Sequence, residues 1–245
     1  MRIHVVYRRD LLATIAQSIE SGRPCNIGNV NTHAMNLAFD NSEFRDILNA
    51  FDLVFVDGFG VKLAAKLAGL RVGERLTYMD WTDDLFRLCA ERRWPIFVLG
   101  DTEEVGQEFQ RKLLHNHPDC PFAGRHHGFF EKTGQESEGV VRTINRSGAL
   151  VLLAGMSMPV QENWIWANRE VLAPPVRLTS GAFFSYYSGF IPRGPKWMTQ
   201  HGLEWLHRLA VQPRAMWRRY LLGNPLFLTR VLVNRFGING NARGR

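Results

Sequence analysis

The chain has 245 residues, 45% hydrophobic and 22% charged, which is enough apolar material for a full core and excludes a disordered polypeptide. Basic residues exceed acidic ones by seven, and the surplus is local: residues 1–190 carry 20 Lys/Arg against 22 Asp/Glu, whereas 191–245 carry ten against Glu204 alone. Three widely spaced cysteines (Cys25, Cys89, Cys120) argue against a disulfide framework and for a reducing compartment, and no run of about 18 apolar residues is free of charge, so no membrane span is expected.

The N-terminal stretch "MRIHVVYRRDLLATIAQSIESG" lacks the apolar core of a signal peptide, and "DLLATIAQSI" within it reads as a helix. "PCNIGNVNTHAMNLAFD" reads as a polar turn leading into a second helix, "FRDILNAF" as a third, and "LVFVDG" as a buried strand. "GVKLAAKLAG" is a helix with Gly69 at its C-terminal end, and "DWTDDLFRLCAERR" is another, capped near Asp80 or Trp81. The strand "WPIFVLGD", the helix "EEVGQEFQRKLLHNH" and a strand or loop, "FAGRHHGFF", come next. After them the chain reads as the helix "GVVRTINRSG", the strand "ALVLLAGM", the helix "VQENWIWANREVL" and the strand "VRLTSGAFF". Strands alternating with helices at this spacing predict an α/β fold: a mostly parallel, Rossmann-like sheet with helices on both faces, followed by a basic helical appendage. The domain reading is a catalytic body over 1–190 and an aromatic-rich appendage over 191–245.

Three strands end alike, in "VFVDGFG", "FVLGDTEE" and "LLAGMSMPVQE". Glycine there permits close backbone approach, and the helix that follows offers free N–H groups, a combination that suits a phosphorylated ligand. No G-x-G-x-x-G in a dinucleotide setting and no P-loop occurs, which disfavours NAD enzymes and P-loop NTPases. His115, His117, Cys120, His126 and His127 crowd into 13 residues, but their spacing is not that of a zinc finger and reads as a loop with exposed imidazoles. Asp57 closes a strand at the edge where open α/β sheets bind ligands. It reads either as a catalytic base or as a cap on the next helix.

The segments "NVNTHAMNLA", "LVFVDGFGVKLAAKLAG", "ERLTYMD", "FVLGD", "GMSMPVQE" and "GLEWLHRLAVQPRAMWRRYLLGN" occur in the order seen in the WecG/TagA/CpsF glycosyltransferase family, which the chain resembles over roughly residues 25–225. The resemblance implies an inverting transferase that moves a sugar from a UDP-sugar to a polyprenyl-diphosphate-linked saccharide in bacterial surface-polysaccharide or exopolysaccharide synthesis. It implies work at the cytoplasmic face of the plasma membrane as a peripheral protein. Asp57 matches the family aspartate that deprotonates the acceptor hydroxyl. Asn31, Arg75 and Gln161 match donor-binding positions, and the donor phosphates are expected near the Gly100–Asp101 and Gly155 turns. No metal or other cofactor is expected, because no Asp-x-Asp motif is present and the family chemistry is metal-independent. Asn29, Tyr78, Val160, Ser185 and Gly194 stand where the family has Thr, Gly, Lys, Asp and Ala, and mark a divergent branch.

The tail mixes Trp, Leu and Phe with Arg, the make-up of interfacial helices. Arg208, Arg214, Arg218 and Arg219 fall at intervals that can line one helix face around Pro213, so an anionic membrane and the acceptor diphosphate are its expected partners, with no nucleic acid. Assembly into a homo-oligomer and the identity of the donor sugar stay open. The alternative from a different class is a non-catalytic sugar-nucleotide-binding or scaffold protein of a polysaccharide assembly complex, which the departures at Asn29, Val160 and Ser185 keep alive.

Overall fold

The computed structural model describes residues 1–236, so the end of the expected appendage, 237–245, lies outside the described residues. The elements follow one another as α1 (Arg8–Ser21), β1 (Cys25–Val30), α2 (Thr32–Asp40), α3 (Ser42–Ala50), β2 (Leu53–Val56), α4 (Phe59–Leu67), α5 (Tyr78–Arg92), β3 (Ile96–Gly100) and α6 (Glu103–Asn116). They continue with β4 (Phe122–His126), α7 (Gly134–Arg146), β5 (Val151–Gly155), α8 (Val160–Ala167), β6 (Val176–Thr179) and α9 (Phe183–Ser188). The tail adds α10 (Lys196–Gln200), α11 (Glu204–Val211), α12 (Pro213–Trp217), a π-helical turn (Arg218–Leu222) and α13 (Gly223–Phe236).

The six strands form one sheet in the order β2-β1-β6-β5-β3-β4, every pair parallel. Side chains alternate across it with the period of two that a strand imposes. Ile27, Phe55, Val98, Leu153 and Leu178 face a core completed by Leu11 of α1, Trp81 and Phe86 of α5, Phe109 of α6 and Phe183 of α9. Val30, Val54, Phe97, Leu99 and Leu152 face the opposite core, with Ala34, Phe44, Val61, Ile144 and Trp164 from α2, α3, α4, α7 and α8. The α/β architecture with helices on both faces is thus the one the sequence predicts.

Two elements differ from the sequence reading. Residues 25–30 were expected as a turn into a helix, yet Cys25–Val30 is a fully buried strand between β2 and β6. Its polar residues hid it, because each is satisfied inside the sheet. The Asn26 amide donates to Asp52 (2.7 Å), Arg177 donates to the Asn26 Oδ1 (3.4 Å), and Gly28 leaves space for the Phe51 ring. The expected strand "VRLTSGAFF" stops at Thr179, and Phe183–Ser188 is a helix packed against α6. Apolar residues at 183, 184 and 187 suit a short buried helix as well as a strand, and only the packing partner decides between them.

The tail is joined to the body through α2. Asn36 donates to the Gly223 carbonyl (2.8 Å), Thr32 donates to Asn224 (2.9 Å), and Arg230 pairs with Asp40 (2.6 Å), while Phe227 is buried in the second core. α13 therefore holds the π-helical turn and α11 over the carboxyl ends of the strands. Because Ile27 lies wholly inside the first core, Ile27→Ala should cost about 2–5 kcal/mol through lost burial and the cavity left behind. A denaturant midpoint close to wild type would show that β1 is not the buried strand described.

Candidate functional site

Asp57 stands one residue past β2, its backbone N–H donating to the Val30 carbonyl at 3.0 Å. It does not cap α4: Gly58 is the N-cap residue there and no side chain bonds that end. The carboxylate instead accepts from Asn29 Nδ2 (3.2 Å), and Asn29 Oδ1 accepts from Thr179 Oγ1 (3.3 Å). Thr179 is positioned in turn by Tyr78, whose hydroxyl donates to its carbonyl at 2.6 Å. Side chains at the ends of three adjacent strands, β2, β1 and β6, thereby fix one carboxylate at the sheet edge.

The tail encloses it. Glu204 of α11 and Arg219 of the π-helical turn face Asp57, and Arg75 lies beside it, linked to Glu204 at 3.5 Å and Asp80 at 3.8 Å. Burial and then the Glu204 charge push the Asp57 carboxyl up to about 7, against the pull of Arg75, Arg219 and the Asn29 hydrogen bond. Burial and the Arg219 charge push the nearby His33 down to about 4, so its imidazole is neutral at pH 7. Burial also lowers Arg219. The buried Nε atoms of Arg208 and Arg219 have no hydrogen-bond partner among the described residues. Donors left unmatched beside a cavity suit an anionic ligand.

Two chambers share Asp57, Asn31, Tyr186, Glu204 and Arg219 as a common wall. One, about 190 Å³, lies over the strand ends and is edged by Thr77, Ser157, Ser180, His33 and Arg208. The other, about 410 Å³, runs between α4 and α13 and is edged by Phe59, Leu63, Leu203, Trp205, Phe227 and Leu228. A more polar chamber and a more apolar one thus meet at two carboxylates, Asp57 and Glu204.

The sequence-expected residues divide into two groups. Asp57, Asn31, Arg75, Arg208 and Arg219 gather at the site, although the Asn31 side-chain oxygen caps α2 by accepting from the amides of His33 (3.0 Å) and Ala34 (3.2 Å). Gly100, Asp101 and Gly155, expected near the donor phosphates, lie outside the lining of both chambers. A Cβ on Gly100 would come within 2.2 Å of the Gly155 carbonyl, and Gly128 packs over Gly100, so the glycines there let the chain's own loops approach. Asp101, in the left-handed region at φ 54°, accepts from Ser185 and from the Thr102 amide (3.0 Å).

Gln161, expected as a donor contact, also lies outside both linings. It is fully buried, its Oε1 accepting from the amides of Met156 (3.2 Å) and Gly181 (3.0 Å) and its Nε2 donating to Glu162 (2.8 Å), so it joins two loops beneath the site and shows no group to a cavity. The four arginines also fail to share a face. The break at Pro213 and the π-helical turn direct Arg208 and Arg219 inward and leave Arg214 and Arg218 exposed. Arg208 lies over the Tyr186 ring (5.0 Å) and donates to its hydroxyl (3.0 Å).

Sequence reasoning passed over Asn29 as a mere departure and Glu204 as the tail's lone acid. An acid isolated among ten basic residues was the available signal for Glu204; Asn29 gave none until β1 was known as a strand. In the His-rich segment, His117 lies 3.3 Å from Asp83, the His126 and His127 rings stack at 4.5 Å, and Cys120 is buried. Among the described residues, no three His, Cys, Asp or Glu side chains form a metal-sized group, and no helix is long and apolar enough to cross a membrane.

The profile described as the glycosyl transferase WecG/TagA/CpsF family matches residues 1–240. The chain is 26% identical over 195 residues to an N-acetylglucosaminyldiphosphoundecaprenol N-acetyl-beta-D-mannosaminyltransferase of Bacillus subtilis (strain 168), covering 80% of this chain and 74% of that one. The protein of the same description from Staphylococcus aureus (strain MRSA252) is 25% identical over 203 residues, 82% of this chain and 77% of that one.

A carboxyl raised to about 7 contributes stability fully present below its unfolded value of 3.8, and that stability is lost as pH rises through 7. Asp57→Asn removes this liability. The variant should gain melting temperature over wild type at pH 8, with the gain shrinking towards pH 4. An equal difference at both pH values would mean that Asp57 ionises as a solvated carboxylate does.

Proposed function

The chain belongs to the glycosyltransferase WecG/TagA/CpsF family, and from that premise we propose that it is an inverting transferase carrying a sugar from a UDP-sugar to a polyprenyl-diphosphate-linked saccharide. The observation that carries the reading is Asp57, a carboxyl raised to about 7 on the wall common to two chambers, one more apolar than the other, with an arginine beside it. A sugar hydroxyl is a poor nucleophile, and a base serves it best when its pKa lies near the working pH.

In this mechanism the UDP-sugar occupies the polar chamber over the strand ends and the acceptor enters from the apolar one. The acceptor hydroxyl attacks the anomeric carbon and Asp57 takes its proton. The new carbon–oxygen bond forms as the bond from that carbon to the UDP oxygen breaks on the opposite side, which inverts the centre. Negative charge gathers on the departing diphosphate, and the guanidinium groups of Arg208 and Arg219, which line this chamber, offset it. Arg75, drawn between Glu204 and Asp80, braces the base. Asn31 and the Ser180 hydroxyl, which has no partner among the described residues, are left to meet donor hydroxyls. The charge compensation requires no metal ion.

The relatives' description names N-acetylglucosaminyldiphosphoundecaprenol as their acceptor, and an apolar chamber leading away from Asp57 suits the first isoprene units of such a lipid. Tyr78 stands in the lining of the donor chamber where the family has glycine and so narrows the space for the transferred sugar. Residues 1–190 act as the body, and the segment from 191 completes the site and meets an anionic membrane through exposed Trp217, Arg214 and Arg218. The protein would work as a peripheral protein on the cytoplasmic face of a bacterial plasma membrane.

A donor panel with mass-spectrometric detection of product tests the reading, and donor binding without transfer across the panel would favour the non-catalytic alternative. Asp57→Asn should lower kcat by about 10²-fold or more while donor affinity holds. The wild-type kcat/KM should fall as pH drops below about 7. Glu204→Gln removes a charge that raises Asp57 and so should move that fall to lower pH; an unmoved limb would detach Asp57 from the base role. Turnover should survive EDTA, and its loss with recovery on adding Mg²⁺ would overturn the metal-free mechanism.

A further inference from the structure

The apolar chamber reaches the surface between α4 and α13, and its rim is unusual for a water-facing edge. Phe59 and Leu63 on α4 and Leu228 on α13 line it, and each is about 40% exposed. The row continues outward along α4 at helical spacing, to Leu67 (39% exposed) and then Leu70 (66% exposed) just beyond the helix end. On α13, Leu232 (46% exposed) stands one turn from Leu228. Scattered exposed leucines need no explanation, but a continuous apolar row leading from a cavity mouth marks an interaction surface. Between Gly58 and Gly73 there is no acidic residue, while Lys62, Lys66 and Arg71 are exposed.

We propose that the leucine row of α4, together with Leu228 and Leu232 of α13, rests on an anionic bilayer, so that the mouth of the chamber opens directly into the acyl region. This goes beyond the tail arginines and rests on reading the chamber as the seat of a prenyl-linked acceptor. A long prenyl chain cannot cross water to reach Asp57 without large cost, and an apolar rim pressed into the lipid removes the crossing. Lysines beside such a row bury their methylene stems and keep their ammonium groups among lipid phosphates. A second copy on this edge is disfavoured by charge, since pairing would bring Lys62, Lys66 and Arg71 of both copies together with no acid from the segment to offset them.

The test is sedimentation of the full chain with phosphatidylglycerol/phosphatidylcholine vesicles and with phosphatidylcholine alone, without donor or acceptor. Leu67→Gln combined with Leu70→Gln should lower the vesicle-bound ratio by at least about tenfold, the lower bound for two part-exposed leucines withdrawn from lipid. Lys62→Glu combined with Lys66→Glu should lower the preference for phosphatidylglycerol by at least about tenfold, the tail arginines keeping the remainder, and an unchanged preference would overturn the lysines' part in the docking. Neither pair lines a chamber, so turnover on a water-soluble acceptor with a two-isoprene tail should stay within about twofold of wild type. Wild-type sedimentation of the leucine variant overturns the proposal. So does a wild-type dimer, seen by analytical ultracentrifugation, that the leucine substitutions dissociate while vesicle binding persists. If wild-type protein fails to turn over the short acceptor, the transferase reading falls, while the sedimentation result still decides the docking.

Discussion

The site depends on one electrostatic constraint, a carboxylate held at the carboxyl edge of a parallel sheet in surroundings that only half tolerate its charge. Asn29 stabilises the ionised form with a single hydrogen bond, Arg75 and Arg219 attract it, and burial and Glu204 oppose it. The balance leaves Asp57 able to accept a proton near neutral pH, unlike a solvated aspartate. Three parallel strands are needed to keep that balance, because Asn29, Asp57 and Thr179 lie on neighbouring strand ends and a shift of register would separate them.

The tail completes the site and is more than an attachment. α13 is anchored on α2 by Asn36, Thr32 and Arg230, and that anchorage holds Arg219 and Glu204 over Asp57. The π-helical turn and the break at Pro213 separate the arginines into an inward and an outward pair. Glu204, the one acid in a strongly basic stretch, engages Arg75 and thereby keeps that guanidinium from fully neutralising the Asp57 carboxylate beside it.

The buried polar network under the strand ends has a different task. Gln161 joins the loops after β5 and β6, Asp101 is tied to Ser185, and Gly100 and Gly155 let the backbones touch. These residues thus tie the loops that follow neighbouring strands to one another. Glu162, wholly buried and raised by burial to about 7, belongs to the same layer beside Gln161.

The sequence by itself determined the fold class, the parallel arrangement and Asp57, because alternating apolar strands and helices and a strand-end Asp-Gly are local patterns set by backbone periodicity. It also carried the family motifs that name the chemistry. β1 escaped it, since asparagines satisfied by Arg177, Asp57 and Thr179 are indistinguishable from loop residues until their partners, some 150 positions away for Arg177 and Thr179, are in place. The split of Arg208 and Arg219 from Arg214 and Arg218, the burial of Gln161 and the approach of Glu204 to Arg75 were likewise decided only by the tertiary structure. Each depends on where a distant element packs, and a side chain's charge and spacing carry no information about the direction in which that packing will turn it.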